Sequence, residues 1–245
     1  YKDQLVLGGH FYVAGSVLAD GIVAWNGQEW SLLGSGVGGE SVNALLVLGD
    51  TLIAGGSFMS VGGEPARAIA VWDGHSWMGL GSGMDGRVLA LAEYNGDLVA
   101  GGDFTEAGGV AARNIARWDG HAWRALSSVG YGTVEALAVY NGELIAAGEF
   151  TQIGGVAANH IAAWDGATWR PLANSYGNGV ELGGAYALVV YQGSLIVGGM
   201  FDSYPGQRAK GIARWDGTSW SPLSEGIGGY PVVWVRTLGI APDGA

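Results

Sequence analysis

The chain of 245 residues contains no cysteine. That one absence excludes a disulfide framework, a zinc–thiolate centre and a thiol nucleophile, and it suits either the cytosol or a bacterial exterior. Charge is scarce as well: Asp, Glu, Lys and Arg make up 13% of the chain, and the net charge is −11. With no basic footprint, nucleic acid and anionic membrane surfaces are poor partners, and an acidic surface mainly serves solubility. No apolar run approaches the roughly 20 residues of a membrane helix, so no membrane insertion is expected. No signal-peptide pattern opens the chain, and Tyr1 falls in mid-repeat, as expected of a mature or trimmed product. Missing too are paired histidines at zinc-ligand spacing, an EF-hand loop, a Gly-x-Ser-x-Gly elbow and an Asn-x-Ser/Thr sequon. Glycine pairs occur but no helix pattern follows them, so they are not phosphate loops. Neither a cofactor nor a metal is expected.

Phenylalanine is sparse, and its five positions carry the organisation: Phe11, Phe58, Phe104, Phe150 and Phe201. A tryptophan follows each of them 14 residues later, at Trp25, Trp72, Trp118, Trp164 and Trp215. A second tryptophan lies five residues further on, at Trp30, Trp77, Trp123, Trp169 and Trp220. Ten of the eleven tryptophans are thus fixed in one repeat with a period of 46 to 51 residues. A fixed period of this size marks a repeat architecture and takes precedence over other readings. The 47 glycines accompany evenly spread Trp, Val and Leu, which disordered chains lack, so they belong to turns.

One repeat shows why the fold is all-β. Residues 134–140 form a short apolar run, the first strand, and Asn141-Gly142 is the dipeptide of a two-residue type I′ hairpin. Residues 143–148 make the second strand, and a loop from Thr151 to Ala158 follows. Residues 160–164 make the third strand, Asp165-Gly166 a tight turn, and residues 169–172 the fourth. Short runs split by turn signals about every ten residues indicate antiparallel strands and leave no window for a helix. Four antiparallel strands repeated radially predict a five-bladed β-propeller, one domain over residues 1–245. The chain opens on a second strand (residues 4–11) and closes on a first strand (residues 235–244). Pairing of the N- and C-terminal strands would therefore close the ring and remove its edges. The tryptophans flank the Asp-Gly turn as cross-strand pairs able to fill the wedge between blades. The alternative, a ring of sugar-stacking platforms, requires them exposed.

The repeat breaks in three places. Connections between the fourth strand and the next first strand expand on both sides of the Trp215 repeat: Trp169 to Tyr186 spans 17 residues where Trp123 to Glu135 spans 12. The loop after Phe201 departs from the Gly-Gly version, with Asp202, Tyr204 and Pro205. Trp234, the tryptophan outside the repeat, falls in an expanded connection. Long loops on a rigid scaffold commonly carry binding groups. The candidate ligand-binding patch is Trp234, Tyr230, Tyr204 and Tyr176, with Asp202 and Glu181 bonding ligand hydroxyls. Sequence variation in surface loops, with slack for ring closure, is the plain alternative.

The residue before each phenylalanine also changes, as His10, Ser57, Asp103, Glu149 and Met200. Asp103 and Glu149 could hold a cation or form an acid–base pair, with Arg113 and His160 in reach, or they could cap the repeated loops. His75 and His121 read as solvated turn residues.

The glycine pairs Gly55-Gly56, Gly101-Gly102 and Gly198-Gly199, each before an aromatic-marked hairpin, resemble the kelch and galactose-oxidase-type propeller repeat. The Trp-Asp-Gly-x-x-Trp turn with Leu-Gly-Ser-Gly (residues 80–83) is similar to repeats of large bacterial surface proteins and fungal Rax2-like proteins. The resemblance implies the fold over the whole chain, and partner binding more often than enzymatic activity. A galactose-oxidase copper centre with its cross-linked cysteine cannot be assembled here. Five blades also resemble tachylectin-type lectins by architecture alone. The expected function is a non-enzymatic, monomeric, extracellular recognition module whose favoured ligand is glycan or glycoprotein. A display scaffold without a small ligand is the second expectation and a glycosidase-like enzyme the third.

Overall fold

The computed structural model describes residues 1–173, 177–180, 183–201, 203–204, 207–227 and 233–241, with the backbone alone at 39–40, 203–204 and 207–208. Among these residues the structure is all-β and antiparallel, and no helix is long and apolar enough to cross a membrane. The chain packs as two compact units, Tyr1–Leu126 and Ser127–Ala245.

Among the described residues the first unit holds three sheets of three or more strands. Leu5–Gly8, Ile22–Trp25 and Trp30–Leu32 form a three-stranded sheet. Val37–Leu48, Thr51–Val61, Ile69–Trp72 and Trp77–Gly79 form the next, and Val88–Tyr94, Asp97–Gly102, Ile115–Trp118 and Trp123–Ala125 the third. The second unit holds two four-stranded sheets among the described residues: Val134–Tyr140, Glu143–Gly148, Ile161–Trp164 and Trp169–Pro171, then Ala185–Tyr191, Ser194–Gly199, Ile212–Trp215 and Trp220–Pro222. In every sheet each strand lies beside its neighbour in the chain, a plain meander. The Asn-Gly turns form as their chemistry dictates, with positive φ at Asn95 and Gly96 and at Asn141 and Gly142.

The segment expected as a loop from Thr151 to Ala158 is instead a small hairpin, Gln152–Ile153 against Val156–Ala157. The same hairpin recurs as Val13–Ala14 with Val17–Leu18, Glu106–Ala107 with Val110–Ala111 and Ser203–Tyr204 with Gln207–Arg208. In the second repeat Thr51–Val61 runs on to pair with Glu64–Pro65. The glycine pair inside the hairpin Glu106–Ala107 with Val110–Ala111 is a further two-residue turn of positive φ, 62° and 79° at Gly108 and Gly109. Gly108 is required twice over, because a Cβ there would also stand 2.9 Å from Trp123 Cβ.

The tryptophan pairs face each other across the last hairpin of each repeat, in register and with ring centroids 4.9 to 5.5 Å apart. Trp77, Trp123, Trp169 and Trp220 are buried. Their indoles tie each sheet to the preceding repeat: Trp77 Nε1 donates to Leu33 O at 2.8 Å, Trp123 Nε1 to Leu80 O at 3.0 Å and Trp220 Nε1 to Leu172 O at 2.8 Å. Trp169 Nε1 is buried without a partner. Around these rings gather the cores: Phe58, Val61, Trp72 and Trp77, then Phe104, Ala107 and Trp123, in the first unit. In the second unit Phe201, Leu172, Val180, Trp215 and Trp220 pack together. The rings act as packing, not as a row of platforms.

Neighbouring sheets approach through glycine. A Cβ on Gly8 would overlap Val42, and one on Gly55 would overlap Val88, so the first strand of one repeat sits tight on the second strand of the repeat before it. Val42 N also donates to Gly9 O at 3.2 Å. In the second unit Val235 and Leu238 lie against Gly198 in the same manner, and Val235 N donates to Gly199 O at 3.2 Å. Residues 233–241 thus occupy a first-strand position yet carry no strand pairing among the described residues. Among the described residues Leu5–Gly8 pairs only with Ile22–Trp25.

Candidate recognition site

The first strands share a defect that aims side chains. Their register skips one residue near the start, at Asn43, Leu89, Glu135 and Tyr186. A bulged residue leaves the ladder and bends its strand, which re-aims its side chain. Arg236 holds the corresponding position in the last segment by the match of Val235 to Val42.

In the second unit these positions converge. The bulge at Tyr186 brings its hydroxyl to Glu149, just past the strand Glu143–Gly148, where it donates to Oε1 at 2.5 Å. Its ring stacks on Trp234, centroids 5.9 Å apart and planes 21° apart. The exposed Arg236 guanidinium lies over the Trp234 ring, 4.6 Å from its centroid. Glu135 accepts from Thr133 Oγ1 at 2.6 Å. Burial, the hydrogen bond to Glu149 and the charges of Glu149 and Glu135 push the Tyr186 hydroxyl well above the ordinary phenol range. Tyr186 therefore stays a proton donor at neutral pH. Trp234 remains 49% exposed. The result is a half-exposed indole braced by a phenol and a guanidinium, with two carboxylates close by.

Of the residues singled out in the sequence, Trp234 stands at the centre of this cluster. Tyr230, Tyr176, Asp202 and Glu181 lie outside the described residues, and of Tyr204 only the backbone is described, in the strand Ser203–Tyr204. Sequence reasoning missed Tyr186 and Arg236. Their signal was the variable second residue of each first strand, visible only once the repeats are aligned.

Asp103 is engaged with one residue. Its Oδ1 accepts from Arg87 N at 2.7 Å, and its Oδ2 meets Arg87 Nε at 2.7 Å and Nη2 at 2.6 Å. It belongs to the first unit and Glu149 to the second, where Glu149 accepts from Tyr186. Arg113 is exposed. Among the described residues no three His, Asp or Glu side chains gather to hold a metal ion. His160 sits in the left-handed region with φ 65°, its Nδ1 buried and unpartnered, and burial lowers its pKa. The corresponding residue one repeat earlier, Asn114, solves the same position by donating Nδ2 to Gly102 O at 3.0 Å. His75 and His121 are exposed turn residues whose amides bond to Asp73 and Asp119.

Fold and site together define an all-β repeat protein of meander sheets carrying the aromatic–charged cluster around Trp234. No family model and no curated protein matches the chain. Among solved structures it is similar to the crystal structure of Ika8, a computationally designed protein, at TM-score 0.44 and 18% identity. The match covers 87% of this chain and 59% of that one, so the chain spans about three fifths of its length.

Proposed function

We propose that this protein is a non-enzymatic recognition module of a cell exterior, built on a closed five-bladed propeller, and that its ligand is a glycan or glycoprotein. The observation that carries the reading is Trp234, a half-exposed indole held in place by Tyr186 and Arg236 beside the Glu149 carboxylate. An apolar aromatic surface ringed by a few fixed donors and acceptors is the chemistry that sugar rings and their hydroxyls need. The kelch-like glycine pairs and the five-fold period support the propeller. So does the seating of Val235 and Leu238 on Gly198, which repeats that of Val42 and Leu45 on Gly8. A glycosidase is disfavoured because Asp103 is held by Arg87 and Glu149 by Tyr186.

Glycan-array screening followed by calorimetry tests the reading. Trp234→Ala is expected to weaken binding at least about tenfold, equivalent to about 1.4 kcal/mol. Trp234 lies outside every sheet, so the circular dichroism of the variant should match the parent. Binding that survives this change removes the site. No binding by the parent leaves the second reading, a display scaffold, which the contacts already made on the Trp234 ring by Tyr186 and Arg236 favour.

A further inference from the structure

The first sheet offers an open seat for a strand. Among the described residues Leu5–Gly8 has its backbone paired on one side only. Beside it runs a cleft of about 320 Å³ bounded by residues 6–8 and residues 42–45. Leu5 and Leu7 are 61% and 36% exposed, apolar side chains on an unfinished sheet. Such an edge accepts an added extended segment through main-chain hydrogen bonds, and alternate side chains supply the fit.

Every copy of the chain also carries a segment of the shape this seat requires. Residues 233–241 sit on the last sheet as Val42 and Leu45 sit on the first, through the Val235 amide bond and the contacts of Val235 and Leu238 with Gly198. Their other backbone edge pairs with nothing among the described residues. The second repeat fixes the register such a strand would take, since Leu45 pairs with Ala54 and Val47 with Leu52 there. Carried over, Leu238 falls opposite Leu7 and Ile240 opposite Leu5. Ile240 is 53% exposed, as an unused strand residue would be.

We propose that the Leu5–Gly8 edge is a strand-acceptor site whose occupant is residues 233–241 of a second copy of this chain, so that copies exchange their terminal strand. This rests on the reading above that residues 233–241 are a first strand, and it adds that the seam is exchangeable. Donor and acceptor have the same chemistry whether they come from one chain or two, which makes strand exchange a low-cost route to association. Effective concentration decides between them: closure within one chain prevails in dilute solution, and exchange grows as protein approaches about 1 mM.

The absence of cysteine makes the test clean. Leu5→Cys and Ile240→Cys single variants, both at exposed positions, are mixed in equal amounts near 1 mM and oxidised. A disulfide joining residue 5 of one copy to residue 240 of another, identified by peptide mass, is expected about tenfold above a Leu5→Cys and Val110→Cys control mixture. A yield equal to the control, or monomers alone, overturns the exchange. The double variant Leu5→Cys/Ile240→Cys, oxidised at low concentration, separates this from ring closure. An internal disulfide there, with no mixed dimers from the two single variants near 1 mM, removes the exchange and leaves the closed ring; mixed dimers near 1 mM without the internal disulfide support exchange and remove closure within one chain.

Discussion

His160 occupies a position that every repeat must solve. It is a left-handed residue, filled in turn by Gly21, Ala68, Asn114, His160 and Gly211. Asn tolerates that conformation and here also bonds a carbonyl, whereas His160 leaves Nδ1 buried and unpartnered. His160→Asn is expected to stabilise the protein by about 1 kcal/mol, read as a raised denaturation midpoint. The pH dependence has a definite sign. Burial lowers the His160 pKa from 6.5, so its contribution is present above about pH 6.5 and is lost as pH falls through the folded value. His160→Asn should flatten stability measured between pH 7 and 5. The tryptophans supply a second contrast at this scale. Trp123→Phe breaks the bond to Leu80 O, while Trp169 has no such bond to lose. Trp123→Phe should therefore cost about 1 kcal/mol more than Trp169→Phe in chemical denaturation.

At the scale of the element, the last hairpin of each repeat is set by an Asp or Asn side chain folded back on its own turn. Asp73, Asp119, Asp165 and Asp216 each accept the amides two and three residues on, at 2.7 to 3.0 Å. Asn26 does the same in the first repeat with a neutral amide. Those bonds favour the charged form and lower all four Asp pKa values from 3.8. Carboxylates depressed in the folded state contribute stability above their unfolded pKa and lose it as pH falls through the folded value. Replacing all four with Asn should keep the turns, as Asn26 shows they tolerate, and flatten the loss of stability below about pH 4, followed by thermal melts across that range.

For the molecule as a whole, self-repulsion matters more than ion pairing. The net charge is −11, and the four salt bridges among the described residues all involve exposed arginines, so each adds little. Raising ionic strength from about 0.01 to 0.15 M should raise the melting temperature, because screening shortens from about 30 to 8 Å and relieves the repulsion. A fall in melting temperature with salt would mean the surface ion pairs outweigh it.

Much of the architecture was legible because it is local. The strands Val134–Tyr140 and Glu143–Gly148 fall where the apolar run and the Asn-Gly dipeptide put them, since turn chemistry and side-chain alternation act over a few residues. The spacing of Trp118 and Trp123 likewise set their cross-strand pairing. The small hairpins after each phenylalanine were missed, since two-residue strands leave no periodicity to read. The site was half legible. Trp234 stands out by breaking the repeat, but Tyr186 and Arg236 reach it through a bulge and a seating on Gly198, and both are matters of register between distant segments. By itself the sequence determined the repeat, its turns and its pairs of rings, because those depend on neighbours along the chain. Only the tertiary structure decided which bulged side chains meet, and which backbone edges are left open, because those depend on how separate segments pack.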